Sequence, residues 1–169
     1  MKRTIMILPQ FDNMDVIEQI RNKYDPLAKL IQPHITLVFP FESEVSNDFL
    51  EEVIKKQLMH INPFEVVLQG FSRQIEEKTT YLFLDIIIGA KELQGIHDLL
   101  YSVNFATLNE DYTYVPHITV GRFSEVSSLN NAYADVKNLN IIFKSRINKI
   151  IIEEIATDEQ SIVVKEIFL

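Results

Sequence analysis

Pro33-His34-Ile35-Thr36 and Pro116-His117-Ile118-Thr119 are one tetrapeptide written twice, with the histidines 83 residues apart in a chain of 169. Each copy opens a run of apolar, β-branched and aromatic residues, His34–Phe39 and His117–Phe123, which reads as a strand. In a strand, residues i and i+2 share a face. His34 therefore projects with Thr36, and His117 with Thr119. Ile35, Leu37, Ile118 and Val120 point to the opposite, core-facing side.

The surroundings of the two motifs repeat as well. Ahead of the first lie a short strand, Ile5–Leu8, and a helix capped by Asp12 or Asn13 with Val16, Ile17 and Ile20 at helical spacing. Pro26 and Pro33 bracket a loop that puts Tyr24-Asp25-Pro26 at the rim of a pocket. Pro40 is expected to end the first histidine strand. Ser46, Asn47 or Asp48 caps a second helix carrying Phe49, Val53, Ile54 and Leu58. Phe64–Phe71 and Thr80–Ile88 read as strands around a polar turn at Glu76-Glu77-Lys78. The second half runs the same way. A helix over Lys91–Val103 precedes the second motif, and a helix capped by Ser127 or Ser128 follows it. Ile141–Ile155 and Ile162–Phe168 are strands around a turn near Thr157-Asp158. Each half thus reads helix, strand, helix, strand, strand. An internal duplication explains both order and spacing. It predicts one bilobal domain over residues 1–169, with pseudo-repeats at approximately 10–88 and 90–169. A pseudo-twofold axis would then bring two imidazoles and two hydroxyls to one cleft.

The bulk composition narrows the partners. Net charge is −8 and the pI about 5.0, whereas a protein that grips long nucleic acid by neutralising phosphates is usually basic. A small ligand is expected instead, or a local basic pocket built from residues such as Arg73, Lys78 and Arg122. There is no cysteine, which removes disulfides, thiolate metal sites and a cysteine nucleophile. The apolar run after Met1-Lys2-Arg3 is too short for a signal peptide, and no later stretch is long enough to span a bilayer. A cytoplasmic protein with no membrane partner is expected, and a monomer is the default state.

The paired motif suits a phosphodiester. One neutral imidazole can deprotonate an attacking water or hydroxyl, and one imidazolium can protonate the leaving oxygen. Histidine's ordinary pKa, near 6.5, allows both forms at neutral pH. Threonine hydroxyls can donate to non-bridging oxygens, where charge builds in the transition state. No cofactor and no metal is required. Two histidines fall short of the three or four ligands of most zinc sites, and no carboxylate lies within or immediately beside either motif. A lone His-x-Thr is most often a satisfied histidine on a sheet; the symmetric pair favours the catalytic reading. A non-catalytic nucleotide or RNA-end binding module and a metal-dependent hydrolase are the other readings. The remaining candidates are weaker. Tyr112 and Tyr114 precede the second motif and fit interior packing better than the cleft. His60 and His97 read as structural or solvated, and Glu51, Glu52, Glu76, Glu77, Glu153 and Glu154 as solvated faces and turns.

At these residues the chain resembles the 2H phosphoesterase superfamily, whose hallmark is two H-x-T/S-x motifs, and within it the bacterial branch related to 2′-5′ RNA ligases and cyclic phosphodiesterases. The resemblance covers essentially the whole chain. It implies an α+β fold, duplicated and bilobal, with two mainly antiparallel sheets forming a central cleft and helices outside. It also implies an enzyme that opens nucleotide or RNA-end 2′,3′-cyclic phosphates, usually to 2′-phosphates, with reverse ligation in some members. On that pattern His34 and His117 are the catalytic pair, and Thr36 and Thr119 hold the phosphate. The resemblance also carries over an aromatic residue five after the first histidine, Phe39, to stack on a base, and an arginine five after the second, Arg122, to neutralise phosphate. A regular strand points i+5 away from i, so both positions require a bulge, a strand end or a twist; Gly121 offers a bulge beside Arg122. Val38-Phe39-Pro40-Phe41 departs from the small, Gly-containing turn common after the first motif.

Overall fold

The computed structural model describes residues 1–103, 113–157 and 160–169. Its elements run β1 (Lys2–Ile7), α1 (Met14–Tyr24), β2 (Ile35–Glu42), α2 (Asn47–Leu58), β3 (Phe64–Ile75), β4 (Thr80–Ile88), α3 (Ala90–Tyr101), β5 (His117–Phe123), α4 (Val126–Val136), β6 (Phe143–Ile147), β7 (Lys149–Ile155) and β8 (Ser161–Phe168). They form two four-stranded sheets, in the orders β2-β1-β7-β8 and β5-β4-β3-β6. Every pairing is antiparallel. This is the α+β architecture of two antiparallel sheets with a cleft between them.

Each sheet draws on both halves of the chain. The strand after His34 joins β1 and, through it, the C-terminal hairpin β7–β8; the strand of His117 joins the hairpin β3–β4. The helices cross over likewise. α1 packs on β5, and α3 packs on β2. Neither half can therefore bury its apolar residues alone. One continuous core results, in which Ile17 and Ile20 of α1, Leu93 and Ile96 of α3, and Ile35, Leu37, Ile118 and Val120 of the histidine strands are all buried.

Four local expectations change. The single strand foreseen over Ile141–Ile155 is two strands broken at Asn148. β6 pairs with β3 and β7 with β1, so the break lets the chain pass between sheets. Pro40 does not end β2, which continues to Glu42. β2 lies at the edge of its sheet and its register slips between Val38 and Phe41, so the missing proline N–H removes no ladder bond there. Ser127 and Ser128 lie inside α4, whose N-cap is Glu125 without a side-chain cap bond. Asn13 flanks α1, but its side chain donates to the Ile142 carbonyl instead of capping the helix. Ser46 does cap α2, its Oγ accepting from the Phe49 N–H at 3.2 Å. Tyr112 and Asp158 lie outside the described residues.

Both histidine strands carry the same irregularity. One step on β1, from Met6 to Ile5, faces two on β2, from Thr36 to Val38, so Leu37 is the extra residue of a bulge. One step on β4, from Phe83 to Leu82, faces two on β5, from Thr119 to Gly121, so Val120 is extra. Leu37 and Val38 are both buried, as are Val120 and Gly121. The alternation therefore resets, and the fifth residue after each histidine returns to the histidine's own face. In β5 the bulge relies on Gly121 for space. A Cβ there would meet the Phe123 ring at 2.9 Å and Tyr24 Cβ at 3.1 Å. Gly121→Ala is expected to cost about 1–3 kcal/mol as an overpacked core site. A thermal melt should show this as a fall of several degrees, and an unchanged midpoint would contradict it.

Candidate active site

β2 and β5 are edge strands of their respective sheets, and they pack against one another. Their exposed faces open onto a cleft of about 780 Å³, lined by His34, Thr36, Phe39, His117, Thr119 and Arg122 among others. That volume lies within the range of small-molecule sites. All six residues singled out in the sequence thus face one space. The bulges described above are what bring Phe39 and Arg122 there.

The two histidines are held alike. His34 Nδ1 lies 2.8 Å from the carbonyl of Gln32, and His117 Nδ1 lies 2.6 Å from that of Val115. A carbonyl only accepts, so each Nδ1 carries a proton and donates it. Nε2 is then the nitrogen left for exchange, bare in the neutral ring and protonated in the imidazolium. The intervening Pro33 and Pro116 restrict the residue before them to extended backbone and fix their own φ, which sets the carbonyl two residues back against the ring. The proline of the repeated tetrapeptide thus has a physical role in fixing the tautomer.

Both imidazoles titrate below the ordinary histidine range. Burial lowers His34 most; its bond to Gln32 opposes this, and the Arg21 and Arg122 charges add to the depression. Burial likewise pushes His117 down to about 4, against its bond to Val115 and with the help of repulsion from His34. The His117 ring also lies flat on Phe83, with centroids 3.4 Å apart.

The strand pairing extends the site to residues that sequence reasoning misses. Phe83 and Tyr81 stand opposite Thr119 and Arg122 in the ladder, so they share the cleft face. Tyr81 stacks on Phe83 at 5.9 Å, and the Arg122 guanidinium lies over the Tyr81 ring at 5.5 Å. The i, i+2 spacing of Tyr81 and Phe83 within an expected strand is the available signal; the face they occupy depends on the partner strand. Glu153 is the clearest correction. It is not a solvated carboxylate but 1% exposed on β7, at the cleft wall, with Oε2 lacking a hydrogen-bond partner among the described residues. Burial raises its pKa, against a bond from Ser161. Of the basic residues expected to form a funnel, Arg122 lines the cleft. Arg73 instead reaches α4, bonding the Asn130 side chain at 2.6 Å and lying over Tyr133. Asp25 lines the cleft from the loop before His34, in line with its sequence position.

Among the described residues no group of three or more His, Cys, Asp or Glu side chains is placed to hold a metal ion. No helix among them is long and apolar enough to cross a membrane.

Comparison with known proteins gives the family and agrees with the fold. A protein of Geobacillus kaustophilus named "Putative phosphoesterase" is 29% identical over 154 residues, covering 88% of this chain and 85% of its own length. A Bacillus licheniformis protein of the same description is 30% identical over 127 residues, covering 72% and 71%. Among solved structures, Escherichia coli LigT complexed with 3′-AMP superposes with a TM-score of 0.61 at 16% identity, covering 99% of this chain and 97% of that one. Kluyveromyces marxianus Usb1 with uridine monophosphate gives 0.61 at 12% identity, covering 99% and 98%. At these identities the two structures speak for the fold. The family described as the 2′-5′ RNA ligase superfamily matches residues 9–159, so this chain belongs to that superfamily of phosphoesterases.

Proposed function

We propose that the protein is a metal-independent phosphodiesterase of the cytoplasm that opens nucleotide or RNA-terminal 2′,3′-cyclic phosphates to 2′-phosphates, with 2′-5′ ligation when an RNA 5′-hydroxyl takes the place of water as the nucleophile. The observation that carries this reading is the pair of Nδ1-anchored imidazoles in one cleft, each with a threonine two residues on. In the forward step, Nε2 of one neutral histidine takes a proton from water as its oxygen attacks phosphorus. The Nε2–H of the other, protonated histidine passes its proton to the departing 3′ oxygen. The first histidine ends charged and the second neutral, and solvent resets the pair. Thr36 and Thr119 donate to the non-bridging oxygens, Arg122 supplies positive charge, and Phe39 offers a ring to the base. The substrate is a small nucleotide or an RNA end, and the working unit is a monomer.

Incubation of the purified protein with 2′,3′-cyclic AMP, GMP, CMP and UMP in excess chelator tests this directly. A 2′-monophosphate product is expected. A reaction that stops on chelation would favour a metal-dependent hydrolase, and equal affinity for cyclic and opened nucleotide without turnover would favour a binding module. Thr36→Val and Thr119→Val should each lower kcat about 100-fold, as for loss of one oxyanion donor, while Thr→Ser at either position retains most activity. Equal losses in the Val and Ser variants would remove the hydroxyls from the proposal.

The depressed histidines also fix the direction of the pH dependence. A working pair needs one neutral and one charged ring, which gives a bell-shaped profile. Both pKa values lie below about 6.5 in the free protein, so the charged partner is lost as pH rises through that lower range. The maximum of kcat/KM is therefore expected on the acid side of about pH 6.5. The profile of kcat should lie at higher pH, because a bound phosphate anion favours imidazolium. A kcat/KM maximum above about pH 7.5 would contradict this.

A further inference from the structure

Three aromatic side chains from the other half of the chain bond the backbone of β2 around its bulge. His97 of α3 donates its Nδ1–H to the Leu37 carbonyl at 2.7 Å. Tyr114 donates its hydroxyl to the Thr36 carbonyl at 2.7 Å. The Phe39 N–H donates to the Tyr101 hydroxyl at 3.1 Å. The three side chains also hold one another. His97 lies flat on Tyr114, with centroids 3.9 Å apart and 5° between planes, and against Tyr101 at 4.6 Å. His97 is 1% exposed and Tyr114 7%.

One target is the bulged residue itself, and the other two are backbone groups of Thr36 before it and Phe39 after it. Leu37 is the extra residue of the β2 bulge, and a bulged residue is left unpaired by the neighbouring strand. A buried carbonyl without a donor is costly, and His97 supplies the donor. The bulge in turn places Phe39 on the cleft face. The matching bulge of β5 has Gly121 beside it, where the Phe123 ring and Tyr24 leave no room for a Cβ.

We propose that His97, with Tyr101 and Tyr114, is a positioning residue. Its Nδ1–H sets the β2 bulge and so places Thr36 and Phe39 for substrate. The reaction part of this proposal rests on the cyclic phosphate reading above; the positioning part does not.

Two substitutions separate the hydrogen bond from the packing. His97→Phe keeps a stacked ring but has no donor. His97→Asn keeps an N–H near the position of Nδ1 but loses the ring. Both are made in the full chain and assayed below their melting temperatures, alongside Tyr101→Phe. Three quantities are read: amide hydrogen exchange at Phe39, affinity for 2′-AMP, and turnover of 2′,3′-cyclic mononucleotides. His97→Phe is expected to speed exchange at Phe39 and to lower kcat/KM by roughly 10- to 100-fold, as a misplacement of about 1 Å does. His97→Asn should recover most of both, and Tyr101→Phe should speed Phe39 exchange locally. Phe exceeding Asn in activity, or exchange at Phe39 unchanged in His97→Phe, would overturn the proposal. A wild type that turns over none of the four cyclic nucleotides would overturn the reaction reading alone. Weakened 2′-AMP binding in His97→Phe, restored in His97→Asn, would then still support positioning.

Discussion

His34→Ala and His117→Ala are each expected to lower kcat by about 10²- to 10⁴-fold on whichever 2′,3′-cyclic nucleotide the wild type turns over, the range for loss of a positioned acid or base. The double substitution should be little worse than either single one, because the two rings act as one proton relay. The fold should survive. Each imidazole gives up one bond to a carbonyl, of Gln32 or Val115, at the cleft surface. His117→Ala also leaves Phe83 without the ring stacked on it, so its melting point should fall further than that of His34→Ala. Circular dichroism and a thermal melt beside the kinetics separate lost chemistry from lost structure. Substantial turnover in both single variants would eliminate the acid–base pair.

Arg21→Met is expected to destabilise the fold more than Gly121→Ala or either histidine substitution, through the support of His34. Arg21 is 1% exposed, and its Nε and Nη2 donate to Asp25 Oδ2 at 3.1 and 3.0 Å. Nη2 also donates to the Ile31 carbonyl at 2.8 Å, while Nη1 sits 3.8 Å from Glu18. One side chain therefore ties the end of α1 to the loop that leads into His34. Methionine fills much of the volume but leaves the Asp25 carboxylate, 8% exposed, with its charge uncompensated. Removing one partner of a buried pair costs about 3–5 kcal/mol. For a chain of this size that is a fall in melting temperature on the order of 6 to 20 °C. Arg21→Met with Asp25→Asn should recover part of the loss, since no unpaired charge remains. A single variant that melts within about two degrees of wild type would show that the pair contributes little. The pair also bears on chemistry: Arg21 lowers the pKa of His34 and Asp25 raises it, so the double variant should shift the kcat/KM profile little while it recovers part of the stability.

Much of the site is legible in the sequence because its signals are local. His34 with Thr36, and His117 with Thr119, share a strand face for the same reason in any strand, and the repeated tetrapeptide marks them as equivalent. The buried Ile35, Leu37, Ile118 and Val120 follow from the same alternation. Ser46 caps α2 through a bond three residues on, which is again local. Phe39 and Arg122 are a different matter. Five residues from a histidine is the wrong parity, and the extra residue that corrects it is defined only by the register against β1 and β4.

The sequence by itself determined the two half-sites: which residues are paired, and that each histidine has a proline before it and a hydroxyl two residues after. Tertiary structure alone decided how these halves meet. The chain breaks at Asn148 to cross between sheets, and each sheet takes its histidine strand from one half and its far hairpin from the other. Glu153 reads as solvated in sequence, yet on β7, between β1 and β8, it is 1% exposed. His97 sits at the edge of a helical stripe, and its partners, the Leu37 carbonyl at the β2 bulge and the Tyr101 and Tyr114 rings, are brought to it by the tertiary structure. Strand registers and the contacts between sheets join residues far apart in the chain. Their free energies depend on which surfaces come together, and local sequence pattern does not encode that choice.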